Sequence, residues 1–74
     1  MNYPNGEKAH IGDFVGLGGD VGRVVCSIDD NEYGPDHDYA RWGYLGHGVM
    51  IEFPRFGLIH YVEPEPDLVF ISRG

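Results

Sequence analysis

The clearest alternation of apolar and polar positions runs from residue 49 to residue 61. Two apolar runs flank the segment Pro54-Arg55-Phe56-Gly57, in which proline presets the φ of an early turn position and glycine tolerates a positive φ. The pattern predicts a β-hairpin, on which the rest of the chain packs. Val49, Ile51 and Phe53 share one face of the first arm. In the second arm, Ile59 and Tyr61 alternate with Leu58, His60 and Val62, and we expect Ile59 and Tyr61 to lie inside.

Three further segments have the composition of short strands, namely residues 13–17, 21–28 and 68–72. Two glycines at 18–19 predict a tight turn between the first two, and two prolines within residues 63–67 predict a corner before the last. In the segment 21–28, alternation places Val24, Cys26 and Ile28 on one face. The sequence therefore predicts an all-β fold of five short antiparallel strands.

The chain has 74 residues, which is the size of one small domain. Residues 1–9 combine proline, glycine, asparagine and charge without periodicity, so we expect a flexible N-terminal arm there. The single β domain is then expected to span residues 10–74.

A long loop is expected over residues 29–46, between the second strand and the hairpin. Its front, residues 29–38, is rich in carboxylates, and its back, residues 39–45, is aromatic. Loops longer than about 12 to 15 residues in small domains are usually functional or disordered. This loop is therefore the first place to look for a site.

Composition narrows the classes of function. Twelve acidic residues against five basic ones give a net charge of −7, whereas affinity for nucleic acid depends on lysine and arginine. Nucleic acid is therefore an unlikely partner.

The single cysteine, Cys26, excludes an internal disulfide and is expected to be buried and inert. Because the sequence shows neither a signal peptide nor an apolar run of membrane-spanning length, we expect a cytoplasmic protein.

The order of these elements resembles a Src-homology-3-like small barrel. Gly12, Asp13, Val15, Gly22 and Val24 also match the opening of KOW-type barrels, in which Gly-Asp-x-Val starts a strand and Gly-x-Val follows the turn. The resemblance implies a five-stranded antiparallel small barrel and binding to RNA, DNA or ribosomal and transcription proteins. The chain departs from that family in lacking basic residues near the matching segment, where only Lys8 and Arg23 lie.

The second half of the chain looks like a group of short uncharacterised bacterial proteins. The resemblance rests on Trp42-Gly43-Tyr44-Leu45, Gly48-Val49-Met50-Ile51-Glu52-Phe53, Gly57-Leu58-Ile59-His60-Tyr61 and Asp67-Leu68. It implies a bacterial origin but no activity.

Aromatic and acidic side chains in the long loop form the candidate binding site. Aromatic faces grip extended or cationic peptides, and carboxylates beside them select lysine or arginine. An alternative is that Trp42 and Tyr44 cap an open end of the barrel. The candidate partner-binding residues are Tyr33, Asp36, Asp38, Tyr39, Trp42 and Tyr44.

Catalytic and metal sites have weaker support in the sequence. An EF-hand reading from Asp29 fails because Ala40 stands where a bidentate glutamate is required. The four histidines, of which His60 could pair with Glu52 across the hairpin, show no zinc-ligand spacing. No nucleophile-elbow pattern surrounds a serine. We therefore expect no enzyme, no metal and no cofactor.

The sequence favours a noncovalent protein-binding module, such as an adaptor, inhibitor or immunity-type protein, whose partner has a basic surface. The alternative is a KOW-like nucleic-acid or translation-associated module. A homodimer through the last strand or the hairpin edges is compatible with either.

Overall fold

A computed structural model describes residues 1–34 and 45–73, which form one antiparallel sheet of six strands. The strands are β1 (Phe14–Leu17), β2 (Asp20–Ser27), β3 (Glu32–Tyr33), β4 (Val49–Phe53), β5 (Gly57–Tyr61) and β6 (Val69–Ser72). The all-β prediction is confirmed, with boundaries one or two residues from those expected. Within the described ranges, no helix is both long enough and apolar enough to cross a membrane.

The strand order is β5-β4-β2-β1-β6, and the short strand β3 also pairs with β2. The sequence predicted five strands, and the sixth is β3, which lies in the segment expected to be a loop. Among the described residues, no ladder joins β5 to β6, so the sheet is open. The chain runs back from β5 to place β6 against β1 at the opposite end of the sheet.

The predicted hairpin is formed by β4 and β5, with Ile51 opposite Ile59 and Phe53 opposite Gly57. Gly57 has a φ of 82°, the left-handed conformation that glycine adopts without a steric penalty. Val49, Ile51 and Phe53 have no exposed surface, and Tyr61 is 6% exposed. The face shared by Val49, Ile51 and Phe53 is thus in the main core, and Tyr61 is inside, as expected.

Val24 and Cys26, which alternation placed on one face of the second strand, pack in two different clusters. The register between β2 and β4 shifts between these two residues, which places Val24 in the main core and Cys26 in a second cluster with Ile28 and Met50. A β-bulge inserts one extra residue, so the side chains that follow it change face. Cys26 is fully buried, as expected, and this burial raises the pKa of its thiol.

Residues 1–9 differ from the expected flexible arm. Asn2 forms a β-bridge with Lys8, and the Ala9 N–H donates to the Met1 carbonyl. Tyr3 is 2% exposed and its ring lies 5.2 Å from the ring of Phe70 on β6. The segment is thus a short hairpin whose apolar side chains complete the main core.

Candidate functional site

Tyr33 is the one member of the sequence-predicted site that the structure describes. It lies on β3 opposite Cys26, is half-buried, and packs against the second cluster. The ring therefore has a packing role at the start of the loop. The other five predicted residues, Asp36, Asp38, Tyr39, Trp42 and Tyr44, lie outside the described residues, and their role stays a prediction.

Two carboxylates at the front of the predicted loop bind the N-terminal hairpin of residues 1–9. Asp29 accepts hydrogen bonds from the Met1 amino group and from the Gly48 N–H. Asp30 pairs with the Lys8 ammonium at 2.7 Å. Because these oxygens have partners within the chain, the carboxylates stabilise the fold.

Glu32 completes this set of acids. Its Oε1 accepts the Ile11 N–H at 3.2 Å and lies 3.6 Å from Nδ1 of His10. Ligand atoms of His10, Asp30 and Glu32 lie within 4.8 Å of one another, the spacing of a cation site. Asp30, however, already accepts from the Ser27 hydroxyl as well as from Lys8. The chain's own donors account for this arrangement, and we assign no metal to it.

The same contacts shift the pKa values of the ionisable groups. The hydrogen bond from the Met1 amino group holds the pKa of Asp29 below its ordinary value, and the bond from Lys8 does the same for Asp30. Reciprocally, the hydrogen bond to Asp30 raises the pKa of Lys8. These directions are those of groups stabilised in their charged forms.

A buried carboxylate, Asp13, joins both ends of the chain. It has no exposed surface, and its Oδ2 accepts from the Tyr3 hydroxyl at 2.7 Å and from the His10 N–H at 2.9 Å. Nε of Arg73 lies 3.5 Å from Oδ1, within ion-pair range although without a hydrogen bond. Burial, followed by the bond to Asp13, raises the pKa of the Tyr3 hydroxyl. Asp13 therefore holds the N-terminal hairpin against the end of β6.

His60 does not make the predicted pair with Glu52. Its Nε2 lies 2.8 Å from the carbonyl oxygen of His47, and its cross-strand neighbour on β4 is Met50. Leu58 is the residue opposite Glu52, so His60 is two residues away from the position that faces Glu52. The contact with His47 holds the segment that precedes β4 against β5.

Basic side chains in the described part of the chain are mostly neutralised. Lys8 pairs with Asp30, Arg55 lies 3.7 Å from Asp20, and Arg73 lies 3.3 Å from Glu7. Arg23 is the exception, and its guanidinium lies 5.5 Å from the centre of the Phe14 ring. One isolated cation is not the basic patch that phosphate recognition requires.

Several carboxylates in the described ranges have no ion-pair partner there. They are Glu52 on β4 and, in the corner between β5 and β6, Glu63, Glu65 and Asp67. All four residues are exposed. Among the residues that the structure describes, the carboxylates left for a partner are therefore on β4 and in the corner, while Asp29, Asp30 and Glu32 of the predicted acidic loop are engaged within the chain.

An apolar surface covers the side of β6, β1 and β2 that faces away from the main core. Gly16 stands opposite Val21 in one ladder and opposite Val69 in the other, so these three positions form a row across the strands. The Cδ1 atom of Ile71 lies 3.4 Å from the place of a Cβ on Gly16. Val21, Val69 and Ile71 are 52%, 58% and 51% exposed. We call these three side chains around Gly16 the outer apolar patch.

An open groove of about 500 Å³ adjoins the outer apolar patch at Val21. It lies between the β1–β2 hairpin and the β4–β5 turn, with Arg23 and Glu52 directly opposite each other in register. The groove combines apolar walls with one cation and one carboxylate. Its lining residues are Phe14, Val21, Gly22, Arg23, Glu52, Phe53, Pro54 and Gly57.

Sequence reasoning did not identify this groove. Val21 and Arg23 alternate with buried positions in β2, but alternation alone does not separate a solvated face from a binding face. For the neighbouring outer apolar patch the sequence did carry a signal, because apolar residues occupy both faces of the last strand.

No family model, no curated protein and no solved structure matches the chain.

Proposed function

We propose that this chain is a noncovalent protein-binding module of the bacterial cytoplasm, and that the groove and the outer apolar patch receive a partner with a basic surface. The observation that carries the proposal is an open apolar groove with an unpaired carboxylate, Glu52, beside a side chain, Val21, that is half exposed. Large apolar residues that lie together at a surface are typical of protein contacts.

Charge complementarity supports a basic partner. The net charge is −7, and the described basic side chains, apart from Arg23, pair with carboxylates of the same chain. Glu52 lies in the groove, and Asp67 precedes Val69 of the patch by two residues. A lysine or arginine of the partner would meet these carboxylates while apolar side chains fill the groove.

The proposal extends to the fold, which we assign to the Src-homology-3-like small barrels. Support comes from β2, whose first half pairs with β1 and whose second half pairs with β3 and β4 around a bulge. The pairing of the last strand with the first is further support, because it brings the chain round toward closure. A sheet that coils in this way presents loops and one outer face to a partner.

Capture from lysate of the source organism tests the function. The tagged chain is compared with Val21→Lys, Glu52→Lys and the control Val62→Lys, which alters a side chain 47% exposed outside the groove. We expect one protein to be retained through nuclease treatment, and its retention to fall at least about tenfold in the two groove variants only. Circular dichroism confirms that each variant is folded.

The same experiment distinguishes the alternatives. Loss of the partner in Tyr39→Ala and Trp42→Ala but not in the groove variants would keep the module and move its site to the loop. Recovery of nucleic acid, or of proteins that disappear with nuclease, would contradict the proposal in favour of the KOW-like function. Recovery of no protein would also contradict it.

A further inference from the structure

We propose that β6 pairs antiparallel with β6 of a second copy of this chain, about a twofold axis at Phe70. The resulting homodimer goes beyond the partner-binding function proposed above: it uses the free edge of the sheet and leaves the groove open, and it shares only Val69 and Ile71 with the outer apolar patch.

The first support is the free edge of β6. This strand stands at one end of the sheet and pairs with β1 alone. In the described part of the chain, no backbone group bonds to its other edge. An edge strand presents unpaired N–H and C=O groups that template another strand, and charged or proline residues usually protect it. The strand Val69–Ser72 contains neither.

The second support is the self-complementary sequence around Phe70. In an antiparallel pair centred there, Val69 faces Ile71 of the second copy, and both side chains are more than half exposed in the single chain. Asp67 and Arg73 lie three residues before and after the centre, so each meets its opposite charge in the second copy. Every cross-strand pair from 67 to 73 is thereby apolar, neutral or oppositely charged.

The groups needed for the ion pair are available. Asp67 is exposed and has no ion-pair partner among the described residues. The Arg73 side chain is 44% exposed. Its Nη2 bonds Glu7 and the Lys8 carbonyl, and its Nε lies 3.5 Å from Oδ1 of Asp13, which leaves Nη1 for a further carboxylate. A guanidinium has five N–H donors, so a further carboxylate can bind without displacing these contacts.

The other end of the sheet is a weaker candidate. On β5, the side chains from Leu58 to Tyr61 are half-buried or buried. The His60 ring on this strand is already bonded to His47. Pairing at β5 would therefore bury less new apolar surface than pairing at β6.

The dimer is expected to be weak. Two copies of charge −7 repel, and a pair of four-residue strands covers less than the roughly 1,200 Å² of a stable interface. We expect a dissociation constant between about 1 μM and 1 mM.

Sedimentation equilibrium of the full chain, over concentrations spanning about 1 μM to 1 mM, tests the proposal. We expect a monomer–dimer equilibrium that Ile71→Lys weakens at least about tenfold, because two lysines would lie against the valines of the opposite copies. The control Val62→Lys adds the same charge at a side chain of similar exposure, 47% against 51%, and should leave the equilibrium unchanged.

A second pair of variants tests the register. Asp67→Arg places two arginines together at each end of the interface and should weaken the dimer several-fold, whereas Glu65→Arg changes the charge equally outside it. A wild-type chain that stays monomeric throughout would overturn the proposal. So would a dimer weakened by Val62→Lys and not by Ile71→Lys, which would place the contact at β5. Equal effects of Asp67→Arg and Glu65→Arg would overturn the register centred on Phe70.

Discussion

Two regions of this molecule use their polar and apolar residues in opposite ways. Where the N-terminal hairpin meets residues 29–32, carboxylates bind donors of the same chain, as Asp29 binds the Gly48 N–H and Asp30 binds Lys8. On the outer apolar patch, Val69 and Ile71 are more than half exposed. The comparison shows that the carboxylates of residues 29–32 stabilise the fold, whereas the side chains of the outer apolar patch are exposed without contributing to the core.

The largest effect is expected from a substitution where the N-terminal hairpin packs into the main core. Tyr3→Ala removes a ring packed against Phe70 and a hydrogen bond to the buried Asp13. We expect the free energy of unfolding, measured by urea denaturation, to fall by about 3 to 5 kcal/mol. Phe56→Ala removes an aromatic side chain that is 53% exposed, and should cost no more than about 1 kcal/mol. Equal losses of unfolding free energy in the two variants would contradict the packing of the N-terminal hairpin in the core.

The next effect concerns the two faces of the sheet. A Cβ on Gly22 would lie 2.6 Å from two ring carbons of Phe53 in the core, whereas a Cβ on Gly16 would meet Ile71 of the patch at an ordinary 3.4 Å. Gly22→Ala should therefore lower the free energy of unfolding by about 1 to 3 kcal/mol, and Gly16→Ala should change it by less than about 1 kcal/mol. Similar urea midpoints for the two variants would contradict the assignment of faces.

Acid pH should selectively weaken the contacts between residues 29–32 and the N-terminal hairpin. The pKa values of Asp29 and Asp30 are lowered in the folded state, so their contribution is complete above the ordinary carboxyl pKa of about 3.9 and is lost as the pH falls through the lowered values. The raised pKa of Lys8 has the opposite sign, since its contribution is lost only as the pH rises through that value. Near neutral pH both contributions are present.

Asp30→Asn sharpens this expectation. Its unfolding free energy, measured from pH 7 down to about pH 2, should depend less steeply on pH below about 4 than that of the wild type. The control is Asp67→Asn, which alters an exposed carboxylate with no ion-pair partner among the described residues. An acid dependence changed equally by both substitutions would contradict the role of the Lys8 pair.

The smallest expected effect is on the outer apolar patch. Val69→Thr replaces a side chain that is 58% exposed with one of similar shape and equal strand preference. The free energy of unfolding should change by less than about 0.5 kcal/mol at a concentration where the chain is monomeric. A larger loss would mean that the patch is part of the core.

The parts of the fold predicted from the sequence are those with period-two alternation. Val49, Ile51 and Phe53 were placed on one face because their spacing matches the strand repeat, and that face is the one buried in the main core. The bulge after Val24 was missed, since one extra residue changes the face of everything that follows without changing the composition.

The N-terminal hairpin and the candidate site were missed for a different reason. Burial of Tyr3 depends on Asp13, ten residues away, and no local pattern reveals that contact. Likewise, the acids at 29–32 look available in the sequence, because their donors, Lys8 among them, come from a distant segment. Exposure of Val21 and Val69 follows from the strand order, which alternation does not determine.

Amide hydrogen exchange measured by NMR on the dilute protein tests the contrast between the two regions most directly. The Tyr3 N–H donates to the Glu7 carbonyl and the Ala9 N–H to the Met1 carbonyl, while the Val24 N–H in β2 donates to the Asp13 carbonyl just before β1. We predict that the Tyr3 and Ala9 amides exchange almost as slowly as the Val24 amide, because the hairpin opens only with the core. Exchange of Tyr3 and Ala9 at the rate of an unstructured peptide, with Val24 still protected, would contradict the account.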